Sequence, residues 1–223
     1  MSKLDRSPNV RFLNPAEEER LREALDAREL EIRADRTSGN VWRLDRGYPT
    51  LHDLPDQEFV DYLKPMVLIA MNTGLRRGEL FNLCWKQVDI QGGNLTVSGL
   101  TAKSGKTRQV PLSKEAVDVL RSWKAQGRPD MKLVFPNRTG ARLNDIKTAW
   151  GSLLKRAKIK QFRFHDLRHH YASRLVMGGV DLNIVRELLG HGDTRMTLLY
   201  AHLAPEYMAQ AIRVLDTPRS RLA

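Results

Sequence analysis

The chain has 223 residues, 41% of them hydrophobic, which is enough for one globular domain or at most two small ones and excludes wholesale disorder. A formal net charge of +11 points to a polyanionic partner, because clustered Lys and Arg release condensed counterions when they meet nucleic-acid phosphates. Cys84 is the only cysteine, which excludes an intramolecular disulfide and a cysteine zinc cluster, and no run approaches the ~18 apolar residues of a membrane span.

Residues 1–13 read as a flexible lead-in containing Pro8. A helix is expected to start at Asn14-Pro15-Ala16-Glu17, where Asn14 can cap, Pro15 suits the first helical position and consecutive glutamates favour the positive end of the dipole. Leu21, Leu25 and Leu30 form its apolar stripe. From Asp35 to Leu54, the glycines Gly39 and Gly47, Pro49 and mixed charge read as a loop or surface excursion. Residues 56–72 read as a helix with Phe59, Leu63, Met66, Val67 and Ala70 inward and Pro65 in its first turns or at a kink. Thr73-Gly74 closes it, and a second helix begins near Arg77.

Over residues 88–112 the period changes to two, with Leu95, Val97, Val110 and Leu112 alternating with polar residues around a tip at 103–106. That pattern predicts a hairpin or a small three-stranded sheet. Helices follow at about 113–126, 144–157, 165–177, 181–189, 194–201 and 205–214, punctuated by Gly127, Gly178-Gly179 and Gly190. The expected fold class is α+β, mainly helical, with one small antiparallel β-sheet. Leu80, Leu83, Trp85 and Val88 read as core, and Cys84 among them as an inert thiol.

Six residues stand in distinctive contexts: Arg76 in Asn72-Thr73-Gly74-Leu75-Arg76-Arg77-Gly78-Glu79-Leu80, Lys103 in Ala102-Lys103-Ser104-Gly105-Lys106, His165 and Arg168 in His165-Asp166-Leu167-Arg168-His169, His191 in Leu188-Leu189-Gly190-His191, and Tyr200 nine positions further on. Each has an ordinary reading of its own. Arg76 suits a salt bridge to Glu79, Lys103 a solvated turn or a backbone-phosphate contact, His191 a carbonyl cap at a helix end, and Tyr200 plain core packing. Together they suit phosphodiester chemistry without a metal. Two guanidinium forks match phosphate oxygens and neutralise transition-state charge, as magnesium does elsewhere, and a phenol near cations serves as a nucleophile. His165 and Arg168, three apart on one helix face, can reach one phosphate. No metal is expected, since His169 and His170 are adjacent and point apart, and neither a His-Glu-x-x-His motif nor a two-metal carboxylate cluster is present.

These contexts, in this order and spacing, resemble the tyrosine recombinase (phage integrase) family from about Asn14 to Met208. The resemblance implies that Tyr200 attacks a DNA phosphate to form a 3′-phosphotyrosine, that Arg76 and Arg168 clamp its nonbridging oxygens, and that Lys103 protonates the leaving 5′-oxygen. It implies proton transfer between His165 and Tyr200, a hydrogen bond from His191 to the phosphate, and a DNA contact by Lys106. Glu79 is expected to support the site rather than react. The covalent link conserves bond energy, so no ATP or other cofactor is expected. The implied partners are double-stranded DNA, further protomers in a DNA-bound synaptic tetramer and accessory DNA-bending proteins, with no membrane, in a cytoplasmic, DNA-associated protein of bacterial or phage type. The implied organisation is a single catalytic domain over 14–223, without the N-terminal core-binding domain of relatives. A helix at 205–214, with Met208, Ile212 and Leu215 apolar, packs on its own domain or on a neighbouring protomer. Two rival readings are relaxation of DNA in the manner of a type IB topoisomerase and a DNA-binding module without catalysis. The Leu-Gly-His to Tyr spacing and the retention of all six residues favour the recombinase.

Overall fold

The computed structural model describes residues 10–56, 59–99, 105–127, 131–193 and 195–204. Its helices are α1 (Pro15–Leu44), α2 (Leu63–Thr73), α3 (Arg77–Phe81), α4 (Lys114–Gln126), α5 (Lys147–Arg156), α6 (Asp166–Met177), α7 (Leu182–Leu189) and α8 (Arg195–Leu198). The strands β1 (Val88–Asp89), β2 (Asn94–Val97) and β3 (Arg108–Pro111) form an antiparallel sheet in the order β1-β2-β3, with Leu95 opposite Val110. The α+β, mainly helical fold class is therefore borne out. The helix expected at 205–214 lies outside the described residues.

Helix α2 is the hub. It is apolar on every side, as a helix must be when neighbours surround it, and it packs on α4 and α6. Pro65 falls in its first turn, where no intrahelical partner for the missing N–H is needed. The helix starts at Leu63 rather than 56, because Phe59 is held through its backbone N–H and C=O by Gln126 at the end of α4, both at 2.8 Å. Asp61 then caps the Leu63 N–H at 2.9 Å. Gly74 ends α2 with φ +61°, and a Cβ there would lie 2.5 Å from Cδ1 of Tyr171, so the turn demands glycine for both its dihedral and its space.

Helix α1 begins as expected, with a reciprocal capping box between Asn14 and Glu17. Two expectations for this region fail. Leu30 is exposed, and the helix does not stop near Asp35 but runs through Gly39 to Leu44. The reason is tertiary. Asn40 donates to the carbonyl of Leu51 at 2.9 Å and accepts from its N–H at 2.8 Å, while Arg36 donates to the His52 carbonyl and Arg43 to that of Pro49. The segment after Leu44 is thereby strapped back along the helix, which offsets the helical cost of Gly39.

The main core gathers α1, α2, α4, α5 and the inward face of the sheet. A second cluster, Ala172, Val176, Val185, Leu189 and Tyr200, joins α6 and α7 to the segment after α8. The turn after α2, strand β3, α6 and the end of α7 meet where these two clusters adjoin.

Candidate active site

Arg76 is the N-cap residue of α3, extended at φ −68°, ψ 151°. Its backbone N–H and its Nη1 both donate to Glu79, at 2.9 and 3.0 Å, so the salt bridge foreseen as its ordinary role is present. Glu79 is 4% exposed and also receives both Nη groups of Arg108, at 3.1 and 2.8 Å. Burial works to raise the Glu79 pKa, but Arg108 and Arg76 prevail and hold the carboxyl below its ordinary value. It stands as the support that the sequence suggested.

Arg168 emerges from the first turn of α6 and is 3% exposed. Its Nη1 donates to the Gly74 carbonyl at 2.8 Å and its Nη2 to the Leu189 carbonyl at 2.6 Å. Arg108 joins it at the same helix end, where its Nε donates to the Leu188 carbonyl at 3.0 Å. The last carbonyls of α7, the negative end of its dipole, thus seat two guanidinium groups. Burial, then the repulsion of Arg76 and Arg108 against the attraction of Glu79, push Arg168 down to about 9, so it keeps its charge at neutral pH. Three guanidiniums facing one carboxylate leave this place with an excess of positive charge.

Gly190 closes α7 at φ +64°, and a Cβ there would lie 2.9 Å from Cδ of Arg108. The turn delivers His191, whose Nδ1 lies 3.0 Å from the Thr197 hydroxyl. Burial first, and then Arg168 and Arg76, push His191 down to about 3, so it is neutral.

Tyr200 is 1% exposed, and its hydroxyl lies 2.7 Å from Nδ1 of His169. Core packing, the ordinary reading of this residue from sequence, is present, and the hydroxyl still makes a polar contact. Nearby cations favour the phenolate, but here they do not decide its pKa. Burial outweighs the field of Arg168 and pushes the phenol up to about 12. The group is protonated at neutral pH, and a base has to take its proton.

His165, expected to exchange a proton with Tyr200, is not at hydrogen-bond distance from it among the contacts described. The ring of His169 neighbours both, 5.3 Å from His165 and 5.9 Å from Tyr200, centroid to centroid. Partial burial, then His169 and Arg168, push His165 down to about 4, although its outer side is open to solvent, which screens part of that effect. Burial likewise holds His169 below its ordinary value, so its Nδ1 accepts the phenol proton when the other ring nitrogen carries the hydrogen.

Of the six predicted residues, Arg76, Arg168 and His191 meet around the end of α7, and His165 and Tyr200 adjoin through His169. Lys103 lies outside the described residues. Lys106 is exposed beside the hairpin tip. Sequence reasoning missed two participants. Arg108 shares the inward register of Val110 on β3, and a charged residue on a buried strand face has to be paired. His169 follows His165 by four positions, the spacing of one helix face, but it was considered only as a metal ligand. Among the described residues, no group of three or more His, Cys, Asp or Glu is arranged to hold a metal.

A model of the phage integrase family matches residues 50–207. The chain belongs to that family. The integrase of Salmonella phage P22 is 38% identical to it over 168 residues, covering 70% of this chain and 43% of that protein. The tyrosine recombinase XerC of Xanthomonas campestris pv. campestris is 37% identical over 153 residues, covering 66% of this chain and 46% of the relative. The integrase-family chain thus spans a little under half the length of these two curated relatives. The catalytic domain of bacteriophage HP1 integrase has the same fold, with a TM-score of 0.61 at 26% identity, covering 96% of this chain and 99% of that domain. No described helix is long and apolar enough to cross a membrane.

Proposed function

We propose that this chain is the catalytic part of a site-specific DNA recombinase that cuts and rejoins strands through a 3′-phosphotyrosine. The observation that carries the reading is the Tyr200 hydroxyl, hydrogen-bonded to a neutral His169 beside the guanidinium cluster around Glu79 and the end of α7. The phosphate takes the place that the surplus positive charge prepares, against Arg76 and Arg168, with His191 donating to a nonbridging oxygen. Tyr200 Oη bonds to phosphorus as its proton passes to His169, which His165 supports from its far side. The bond from phosphorus to the 5′-oxygen breaks, and Lys103 supplies the proton to the leaving oxygen. A 5′-hydroxyl from a second duplex reverses these steps onto new DNA, with no bond energy lost. Lys106 contacts the DNA backbone. Strand exchange requires several protomers on two duplexes, the synaptic tetramer, and DNA-bending partners assist its assembly.

The experiment is covalent trapping on a nicked suicide substrate carrying the cognate site, or on supercoiled plasmid, for the wild type and for Tyr200→Phe. A denaturing gel should show a protein–DNA adduct that Tyr200→Phe abolishes. An adduct that survives in Tyr200→Phe assigns the nucleophile elsewhere.

A further inference from the structure

A cavity of about 670 Å³ opens beside Arg76 and His165, which both line it. Its floor is aromatic. Trp150 meets Phe164 edge to face at 5.3 Å and tilts against Phe162 at 6.2 Å, and all three line the cavity. The rim is cationic, with the side chains of Arg77, Lys147 and Arg163 exposed by 50%, 82% and 78%. Its one acid, Asp145, accepts from the backbone N–H groups of Ile146 and Lys147 at 2.7 and 3.0 Å and pairs with Lys147 at 3.5 Å and Arg77 at 4.0 Å, while Arg163 pairs with Asp166 at 2.9 Å, so the rim cations keep a net excess of one positive charge.

Two further observations indicate an occupant from outside the fold. The indole N–H of Trp150 is buried and donates to no acceptor among the described residues, an uncommon condition for a buried donor. In addition, Gly78 in α3 and Gly151 in the middle of α5 both line the cavity, and a Cβ built on either would meet nothing within 4 Å. A mid-helix glycine destabilises its helix relative to alanine, and nothing among the described residues crowds these two positions. Their missing side chains keep the cavity open.

We propose that this cavity, lined by Arg76 and His165, binds one unstacked nucleobase of the DNA strand whose phosphate lies against Arg76. The inference rests on the recombinase reading, which sets the phosphate against Arg76, one of the residues that line the cavity. An aromatic floor stacks on the face of any base, and the rim holds the flanking phosphates. An aromatic floor with a neutral rim would suit an apolar ligand; the cations at this mouth specify an anionic strand.

The test follows the indole N–H signal of Trp150 by NMR in isotope-labelled protein, assigned by its loss in Trp150→Phe. The probes are dAMP and dTMP, with inorganic phosphate and deoxyribose phosphate as anions without a base. Millimolar nucleotide should move the signal saturably, and the two controls should not. Gly151→Leu fills the cavity from α5 without altering a proposed catalytic group, and it should weaken nucleotide binding about tenfold while the melting temperature does not fall. If that variant fails to fold, Gly151→Ala should weaken binding by a smaller step in the same direction. A signal that stays still, one that moves equally for deoxyribose phosphate, or unchanged binding in a folded Gly151→Leu overturns the proposal. Tyr200-dependent trapping together with a still signal removes the base pocket and leaves the recombinase. A nucleotide shift without any adduct leaves a base-binding site and removes strand cleavage.

Discussion

Tyr200 packs as a core residue and carries a hydroxyl bound to His169, so burial and reactivity oppose each other at one side chain. With the phenol pushed up to about 12, its chemistry depends on a base. If that base is His169, His169→Ala should slow cleavage about 100-fold or more. Only the neutral ring accepts the proton, and burial holds His169 below 6.5. Wild-type cleavage should therefore persist into mildly acidic solution, where an ordinary imidazole is already protonated, and decline only at lower pH, and the variant should lose that acid limb in a pH–rate profile. A profile identical in both proteins would assign the proton transfer to another group. Glu79 is the second decisive residue, because among the described residues it is the one carboxylate that pairs with Arg76 and Arg108. Glu79→Ala leaves two guanidiniums facing each other in a buried place and should cost about 3–5 kcal/mol in urea denaturation. A loss within the range of ordinary surface substitutions would mean that Arg108 finds another partner.

Among the elements, α1 and α7 show how local signals and tertiary contacts divide the work. The start of α1 was legible because a capping box is written in four consecutive residues, Asn14 to Glu17. Its far half was not legible, because a partner some eleven positions away, Leu51, holds Asn40. Asn40→Ala should release the strap, making residues 45–56 a site of faster proteolysis and amide exchange, at about 1–3 kcal/mol in local stability. Unchanged exchange at the Leu51 amide would show that the arginines Arg36 and Arg43 suffice. The end of α7 was visible from Gly190, but not its task of seating Arg108 and Arg168 on the carbonyls of Leu188 and Leu189. A C-terminal stop signal tells where carbonyls are left over and not which side chains come to them.

At the scale of the whole molecule, a net charge of +11 makes DNA affinity depend on counterion release, so binding should fall steeply with salt. Lys106, exposed beside the hairpin tip, is the proposed backbone contact. Lys106→Ala should reduce the slope of log affinity against log salt by about 1, uniformly across DNA sequences, in a fluorescence titration. An unchanged slope would place the tip away from the phosphates. By itself, the sequence determined the mainly helical class with one small sheet and the helix stops at Gly74 and Gly190, and it singled out most of the residues now proposed to carry the chemistry. These follow from periodicity, caps and short spacings, which act within a few residues of chain. Only the tertiary structure decided that His169 rather than His165 touches Tyr200, that Arg108 shares Glu79 with Arg76, and that the phenol is pushed up rather than down. Those outcomes depend on burial and on charges brought together from β3, α3, α6 and the end of α7, and desolvation depends on the completed packing rather than on any local stretch of sequence.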